Sequence, residues 1–227
     1  MAQLRTVETR DLTAAVQDYA KAIYTLESRD GAASTTDLAT LLEVRPASVS
    51  GMLRKLSALG LVEHERYRGV RLTKRGRRVA LEVIRHHRLV ELFLVENLGM
   101  TWDEVHAEAE VLEHALSEEL EELIAAKLGN PTVDPHGDPI PSRELKLAET
   151  SSQTLAELEP GEVATFVRIS DSDPDMLRFL GERGIVPGTT LELVERQPFD
   201  GPVFVRVGRK VHVLGSVLAR EMHVEAA

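Results

Sequence analysis

The hydrophobic pattern of the first 80 residues predicts helices followed by a β-ribbon. Apolar residues recur at helical spacing in three stretches, and glycines such as Gly31 and Gly60 close them. Two short stretches of strand character follow, with the turn 66–69 between them. The predicted helices cover 12–26, 37–42 and 47–58, and the predicted strands cover 61–64 and 70–72. This order predicts a winged helix-turn-helix, whose second helix enters the DNA major groove.

The centre of the chain has the pattern of three further helices with apolar faces. They are predicted over 73–97, 101–117 and 118–128, and Gly99 and Gly129 are stop signals. A helix-turn-helix protein usually binds a pseudo-palindrome as a dimer, so we predict that this region forms the interface of a homodimer. A loop rich in Pro and Gly follows at 130–142, and a polar tether or short helix at 143–158.

From residue 159 the apolar positions change to a period of two. Four alternating stretches predict a small β-barrel of the SH3 type, with a short helix at 176–183 after the first strand. The predicted fold class is α+β, mainly α. The predicted domains are a winged helix-turn-helix DNA-binding domain at 1–80, a helical metal-binding and dimerisation domain at 81–148, and an SH3-like β-barrel domain at 149–227.

The charge distribution separates the predicted head from the rest of the chain. Residues 1–88 hold 16 Lys and Arg against 10 Asp and Glu, whereas residues 89–129 hold 1 against 11, and the whole chain has a net charge of -10. A basic segment on an acidic protein indicates a polyanion partner for that segment alone. The chain has no cysteine and no apolar run near the ~20 residues of a membrane span, so we expect a cytoplasmic protein without membrane contact.

The predicted reading helix has a small, polar outer face. Its apolar residues Val49, Leu53 and Leu56 are expected to face the core, so the opposite face is left for double-stranded DNA. Arg68 at the tip of the wing is expected to contact phosphates. The predicted DNA-binding residues are Arg45, Pro46, Ala47, Ser48, Ser50, Gly51, Arg54, Lys55 and Arg68.

Histidines and carboxylates recur at helical spacing in the central region. His87 and Glu91 are four residues apart, as are His106, Glu110 and His114, so on a helix each set shares a face. Imidazole with carboxylate suits Mn, Fe, Co, Ni or Zn better than Mg or Ca. We therefore predict a transition-metal site here. His136, in the Pro/Gly-rich loop, is interpreted as a surface histidine.

These stretches resemble the metal-dependent repressors of the diphtheria toxin repressor family over nearly the whole chain. The matching segments include Asp18-Tyr19, the segment around Ser48, and the predicted wing. The more specific matches are the segments 87–91, 105–110, 113–114 and 135–141. The ordered histidines and acids carry the resemblance, because a helix-turn-helix alone occurs in many families.

The resemblance implies that the third domain is FeoA-like and that each subunit has two metal sites. The primary, regulatory site would consist of Asp18, Glu110, Glu113 and His114. The ancillary site would consist of His87, Glu91 and His106, completed from the third domain by Asp173 and Asp175. The implied function is metal-activated repression of metal-uptake genes by a dimer on pseudo-palindromic operators.

The ligand types favour the manganese-responsive branch of that family. The iron-sensing branch carries softer Met and Cys ligands where this chain has Asp18 and Glu110, and oxygen ligands suit Mn²⁺. The short manganese regulators have a Glu at the position of Lys21, so their binuclear arrangement is not expected here. The predicted cofactor is Mn²⁺, with Fe²⁺ as the alternative, and Zn²⁺ or Co²⁺ is expected to substitute in vitro.

Two other classes of function are alternatives to repression. A His/Glu metalloenzyme lacks support, because no histidine in residues 85–127 follows a Glu by three positions as in di-iron bundles. It would also leave the basic winged head unexplained. A regulator that responds to an organic effector would need an apolar pocket, whereas the His/Glu set offers ligands for a cation.

Overall fold

The computed structural model describes residues 12–65, 69–150, 153–170 and 173–227. Its packing divides the chain into two compact units. The first unit contains the described residues up to His87, with Val111–Leu123 and Pro141–Lys146. The second unit contains Arg88–Glu110, Ile124–Ile140 and Leu147–Ala227. The helical central region contributes to both units, so the three predicted domain boundaries stay a prediction. Among the described residues, no helix has the length and apolar character to cross a bilayer.

The first unit begins with the predicted helix-turn-helix. Its helices are α1 (Ala14–Asp30), α2 (Thr35–Leu41) and α3 (Pro46–Ala58). Gly31 ends α1 because it adopts a φ of +79° and donates its N–H to the Glu27 carbonyl. Ser34 begins α2 by accepting the N–H of Asp37, and Pro46 stands in the first turn of α3.

The β-ribbon of the head follows α3. Its strands β1 (Val62–Glu65) and β2 (Gly69–Leu72) pair antiparallel, from Val62 opposite Leu72 to Glu65 opposite Gly69. Val49, Leu53 and Leu56 of α3 are buried in the head's core, as predicted. The winged helix-turn-helix is therefore confirmed. Arg68 and the rest of the wing tip lie outside the described residues.

Three helices make up the central region: α4 (Lys74–Leu98), α5 (Val105–Leu112) and α6 (Glu118–Lys127). The middle one is shorter than the helix predicted over 101–117. The Ser117 hydroxyl accepts the N–H of Leu120 and begins a new helix, so the chain turns between α5 and α6. His114 therefore lies in a turn, and the prediction that it shares a helical face with His106 and Glu110 is wrong.

The second unit contains a five-stranded antiparallel sheet. Its strands are β3 (Val163–Arg168), β4 (Thr190–Arg196), β5 (Val203–Val207), β6 (Lys210–Leu214) and β7 (His223–Ala226), in the order β6-β5-β4-β3-β7. Two short helices, α7 (Pro174–Gly181) and α8 (Ser216–Glu221), pack against it around Phe166 and Leu180. Sequence reasoning missed β7 and α8. The SH3-like domain is confirmed.

Candidate metal centres and DNA-facing helix

Asp18, Glu113 and His114 come together within the first unit. Asp18 is on α1, and the other two residues lie in the turn that follows α5. The Nε2 atom of His114 is 2.8 Å from Asp18 Oδ1 and 3.6 Å from Glu113 Oε1. One ligand atom of each residue lies within 4.8 Å of those of the other two. One imidazole and two carboxylates in this arrangement form a suitable ligand set for a divalent transition metal.

Gln17 orients the imidazole of this cluster. Its side-chain oxygen is 2.8 Å from His114 Nδ1, and its side-chain nitrogen donates to the carbonyl of Leu12. Because an amide oxygen only accepts, His114 Nδ1 must carry the proton of this hydrogen bond. The Nε2 atom then faces Asp18 and Glu113, which is the orientation that a metal ligand needs.

The carboxylate of Glu113 is fully buried and surrounded by hydrogen-bond donors. Lys21 Nζ is 2.8 Å from one of its oxygens and 2.9 Å from the other, and His87 Nδ1 is 2.5 Å from Oε2. Burial by itself raises the pKa of Glu113, but the hydrogen bond from His87 and the charge of Lys21 together bring the pKa below its ordinary value. Glu113 is therefore held as a carboxylate, the form that binds a cation.

Glu91, Asp134 and His136 form a second close group, within the second unit. The Nδ1 atom of His136 is 3.8 Å from Glu91 Oε2 and 4.0 Å from Asp134 Oδ1. The side chains of Glu91 and His136 are 0% exposed, and that of Asp134 is 2% exposed. His136 is thus a buried residue, and its interpretation as a surface loop histidine is wrong.

The loop that carries His136 packs directly against strand β3. Gly137 has a φ of +87°, and a Cβ atom there would lie 1.8 Å from the carbonyl oxygen of Val167. The N–H of Ile169 donates to the carbonyl of His136, and the ring of His136 stacks on that of Trp102 at 5.8 Å. These contacts, made by residues remote in sequence, bury the loop.

The orientation of His136 leaves one ring nitrogen facing the acids. Its Nε2 is 2.6 Å from the carbonyl oxygen of Trp102, so Nε2 carries the proton. Within the described part of the chain, Nδ1 has no hydrogen-bond partner. A buried lone pair beside two carboxyl groups fits a metal ligand.

The second group carries an excess of acid. Burial raises the pKa of Asp134 well above its ordinary value, and the nearby charges of Asp138 and Glu91 raise it further, whereas Arg88 lowers it. Arg88 Nε is 3.4 Å from Asp134 Oδ2. A bound cation would offset the remaining negative charge, and this supports the fit of a metal ion here.

The remaining predicted ligands occupy different places. Glu110 lies on α5 in the second unit. In the same unit, His106 Nε2 is 3.7 Å from Glu110 Oε1, and His106 Nδ1 is 3.4 Å from Glu91 Oε1. Asp173 accepts the N–H groups of Asp175 and Met176 as the N-cap of α7.

Asp175 is 91% exposed and pairs with Arg178 at 2.9 Å. Neither Asp173 nor Asp175 belongs to a close group of potential ligands among the described residues.

Sequence reasoning missed Asp134 and the burial of His136. Part of the signal was present, because His136 and Gly137 lie in the segment 135–141 that matched the family, and Asp134 precedes that segment directly. A Pro-rich loop is normally on the surface, and no local pattern shows that a distant strand covers this one.

The outer face of α3 is exposed, as the DNA-binding prediction requires. Arg45, Pro46, Ala47, Ser48, Ser50, Arg54 and Lys55 are exposed, and Gly51 is partly exposed. The Ser50 hydroxyl donates to the carbonyl of Pro46 at 3.2 Å. No atom outside the helix backbone lies within 4 Å of a Cβ built on Gly51, so another molecule's backbone could approach there.

Three family models match the chain in succession. The N-terminal DNA binding domain of the iron dependent repressors matches residues 11–70. The metal binding and dimerisation domain of the same repressors matches residues 73–142. The FeoA domain matches residues 153–226. The three matches follow the order of the predicted head, helical region and barrel.

Individual relatives match over nearly their whole length. The iron-dependent repressor IdeR of Mycobacterium leprae (strain TN) is 32% identical, over 95% of this chain and 98% of the relative. A solved manganese-dependent transcriptional repressor in complex with manganese is 42% identical, with a TM-score of 0.85, over 93% of this chain and 100% of that one. The manganese regulator SloR is 33% identical, with a TM-score of 0.77, over 95% of this chain and 100% of that one.

A winged helix-turn-helix joined to a metal-binding and dimerisation domain defines a metal-dependent transcriptional repressor. The chain belongs to the family of iron-dependent repressors, which includes the diphtheria toxin repressors. The resemblance predicted from the sequence and the three-domain form are thereby confirmed. Its partners are DNA, divalent metal ions and a second copy of the chain.

Proposed function

We propose that this repressor binds its operators only when a divalent metal is bound, and that Mn²⁺ is the activating ion. The relatives include repressors named for iron and others named for manganese, so the names do not discriminate between the two metals. The donor set supports Mn²⁺, because it contains only imidazole and oxygen and no sulfur. Such a set suits Mn²⁺, the weakest binder of the first-row series.

The observation that carries this proposal is the contact between Asp18 and His114. Asp18 belongs to the DNA-binding head, and His114 follows the metal-binding helix α5, yet the two side chains are 2.8 Å apart. We assign the regulatory ion to Asp18, Glu113 and His114, and Glu110 remains the predicted fourth ligand. A cation bound there would offset the repulsion between the carboxylates of Asp18 and Glu113.

This position couples metal binding to the orientation of the head. Asp18 is one turn from the start of α1, the helix that packs against α2 and β2. Holding Asp18 beside His114 therefore restrains the reading helix through the head's rigid core. Because coupling is reciprocal, operator DNA must tighten metal binding by the factor by which metal tightens DNA binding, typically about 5- to 150-fold.

We assign a second ion to the buried group of Glu91, Asp134 and His136. His106 reaches Glu91 at 3.4 Å and is the best placed additional ligand in the second unit. His87, Asp173 and Asp175 stay predictions from the resemblance for this ancillary site. The loop of His136 is fixed to β3, so a metal here would secure the barrel.

Gene regulation in the cytoplasm explains both the reading helix and the metal ligands, whereas catalysis leaves the reading helix unexplained. The exposed basic face of the reading helix is suited to DNA. The ligands proposed for the regulatory metal are in contact with the DNA-binding head. We propose that metal-uptake genes are the targets. A metalloenzyme of the same chain would turn over a phosphoester or peptide only when loaded with metal, and the expected result of that assay is no turnover.

The test is a metal titration of operator binding. An operator is selected from random double-stranded DNA in the presence of Mn²⁺, and affinity is then measured by fluorescence anisotropy with Mn²⁺, Fe²⁺, Co²⁺ and Zn²⁺ at matched free concentrations. We expect chelation to abolish specific binding and Mn²⁺ to restore it. Equal affinity after thorough chelation would contradict the proposal.

Asp18→Ala should abolish the stimulation by metal while the circular dichroism spectrum stays that of the parent. The matched control is Glu108→Ala, which removes an exposed carboxylate from α5 that belongs to neither close group. It should respond to Mn²⁺ like the parent. An Asp18→Ala protein that still responds to Mn²⁺ would overturn the site assignment.

A further inference from the structure

Lys21 is in direct contact with the carboxylate of Glu113, in the cluster of Asp18, Glu113 and His114. It follows Asp18 by one turn of α1, and its Nζ lies 2.8 Å and 2.9 Å from the two oxygens of Glu113. The Glu113 side chain is 0% exposed, and that of Lys21 is 19% exposed. Both oxygens of the buried carboxylate therefore share one ammonium group.

A buried carboxylate needs a cation, and Lys21 supplies one from the protein itself. An unpaired charge in a protein interior is strongly unfavourable. His87 also donates to Glu113, at Oε2. The ammonium of Lys21 is thus the group that matches both oxygens, which is the position that a divalent cation would take.

A metal ion and Lys21 compete for the same lone pairs. An ammonium donates to an oxygen through the lone pair that a metal ion would use, and two cations on one carboxylate repel each other. The lysine stem is flexible and partly exposed, so its head can move to water while the stem stays in place. Glu113 has no comparable route, because it is fully buried.

We infer that Lys21 is a built-in competitor of the activating metal: it neutralises Glu113 in the metal-free repressor and must leave when the ion binds. The inference rests on the proposed metal activation. Lys21 thereby raises the metal concentration at which the repressor responds. It also keeps the metal-free protein stable, because the carboxylate is never left without a cation.

The test compares neutral and charged replacements of Lys21. Mn²⁺ affinity is measured by equilibrium dialysis for the parent, Lys21→Gln and Lys21→Arg, without DNA. We expect Lys21→Gln to bind Mn²⁺ about tenfold more tightly, a size typical of a lost hydrogen bond between charged groups. In chelator it should unfold at a lower temperature than the parent. Lys21→Arg keeps the charge and should stay close to the parent in both measurements.

A matched control separates the contact from the general loss of charge. Arg29 lies in the last turn of the same helix and is exposed, so Arg29→Gln should leave Mn²⁺ affinity unchanged. Unchanged or weaker binding by Lys21→Gln would overturn the inference and leave metal activation intact. A parent protein that binds no Mn²⁺ would overturn the proposed function and the inference with it.

The parent protein allows a test without any substitution. Lysine reactivity towards an amine-specific acylating reagent can be followed by peptide mass spectrometry, with and without Mn²⁺. Lys21 should be protected in chelator, where Glu113 holds it, and should react several-fold faster with Mn²⁺ bound. Equal or slower reaction with Mn²⁺ would contradict release of the lysine.

Discussion

At the scale of single residues, the candidate sites consist of ionisable groups that the fold buries. Glu91 and His136 are 0% exposed and Glu113 is 1% exposed, although such groups are rarely buried without compensation. Glu113 is compensated by Lys21 and His87 within its cluster. The group of Asp134 is compensated only in part, by Arg88, and this difference makes Asp134 a useful site for substitution.

Asp134→Asn should lower metal binding while it preserves the loop. The Oδ1 atom of Asp134 accepts the N–H groups of His136 and Asp138 at 2.8 Å and 2.9 Å, and an amide oxygen can do the same. We expect fewer Mn²⁺ ions per chain after dialysis and a smaller rise in unfolding temperature with Mn²⁺. In chelator the free energy of unfolding should stay within about 1 kcal/mol of the parent, because a poorly compensated buried acid has been removed.

Asp138→Asn is the control for that experiment. Asp138 is in the same loop and pairs with Arg168 at 3.3 Å, but it is outside the group of Glu91, Asp134 and His136. Its metal content should equal that of the parent. Parental metal content in Asp134→Asn would rule out the second site.

At the scale of secondary-structure elements, two helical glycines have opposite surroundings. Gly76 is in the first turn of α4, and a Cβ there would lie 2.0 Å from the carbonyl oxygen of Leu61. Gly51 is in α3, where a Cβ would meet nothing within 4 Å. The first glycine lets α4 pass against the backbone beside β1, and the second leaves the reading helix open to DNA.

The two Gly→Ala substitutions should therefore change stability in opposite directions. Gly51→Ala should raise the free energy of unfolding by about 0.5–1 kcal/mol, the usual preference for Ala in a helix. Gly76→Ala should lower it by about 1–3 kcal/mol, because the backbone must move to relieve the overlap. Denaturant unfolding measures both changes.

Gly51→Ala should also weaken operator binding in spite of its greater stability, since the added methyl group lies on the face assigned to DNA. If it bound DNA as well as the parent, close approach of DNA at Gly51 would be excluded.

At the scale of the whole molecule, basic charge indicates the DNA-binding surface and exposed apolar side chains indicate the dimer surface. The basic residues are concentrated in the first 88 positions of an otherwise acidic chain, so attraction to DNA is confined to the head. Apolar side chains are exposed along α5 and α6 within the first unit: Val111 (71%), Leu112 (42%), Leu120 (47%) and Leu123 (62%). Since this segment belongs to the matched dimerisation domain, we predict that the dimer contact lies there.

Leu123→Glu should therefore weaken dimerisation. A charge in an apolar interface costs enough to raise the dissociation constant of the dimer by tenfold or more, about 1.4 kcal/mol. Analytical ultracentrifugation over a range of concentrations gives that constant. The control is Val211→Glu, a 50% exposed position on strand β6 of the barrel. A dimer of parental strength in Leu123→Glu would move the interface elsewhere.

Periodicity and ligand chemistry made much of the molecule predictable from the sequence. The inward positions of α3 follow from apolar residues at helical spacing, and the strands of the barrel follow from apolar residues at a period of two. Both patterns are local and can be recognised without the fold. Glu113 and His114 were recognised from residue type, but their position in a turn was not. They lie in a turn because α5 ends at Leu112, before the end at residue 117 that the apolar pattern predicted.

What the sequence by itself determined is therefore the order of elements, the basic reading face and the kind of metal ligand, because each is a property of neighbouring residues. Only the tertiary structure decided that Lys21 holds Glu113, that Asp18 meets His114, and that His136 is buried beside Glu91 and Asp134. These contacts join segments remote in sequence. Their geometry is set by how helices and loops pack, and no local pattern of residues encodes which distant segments come into contact.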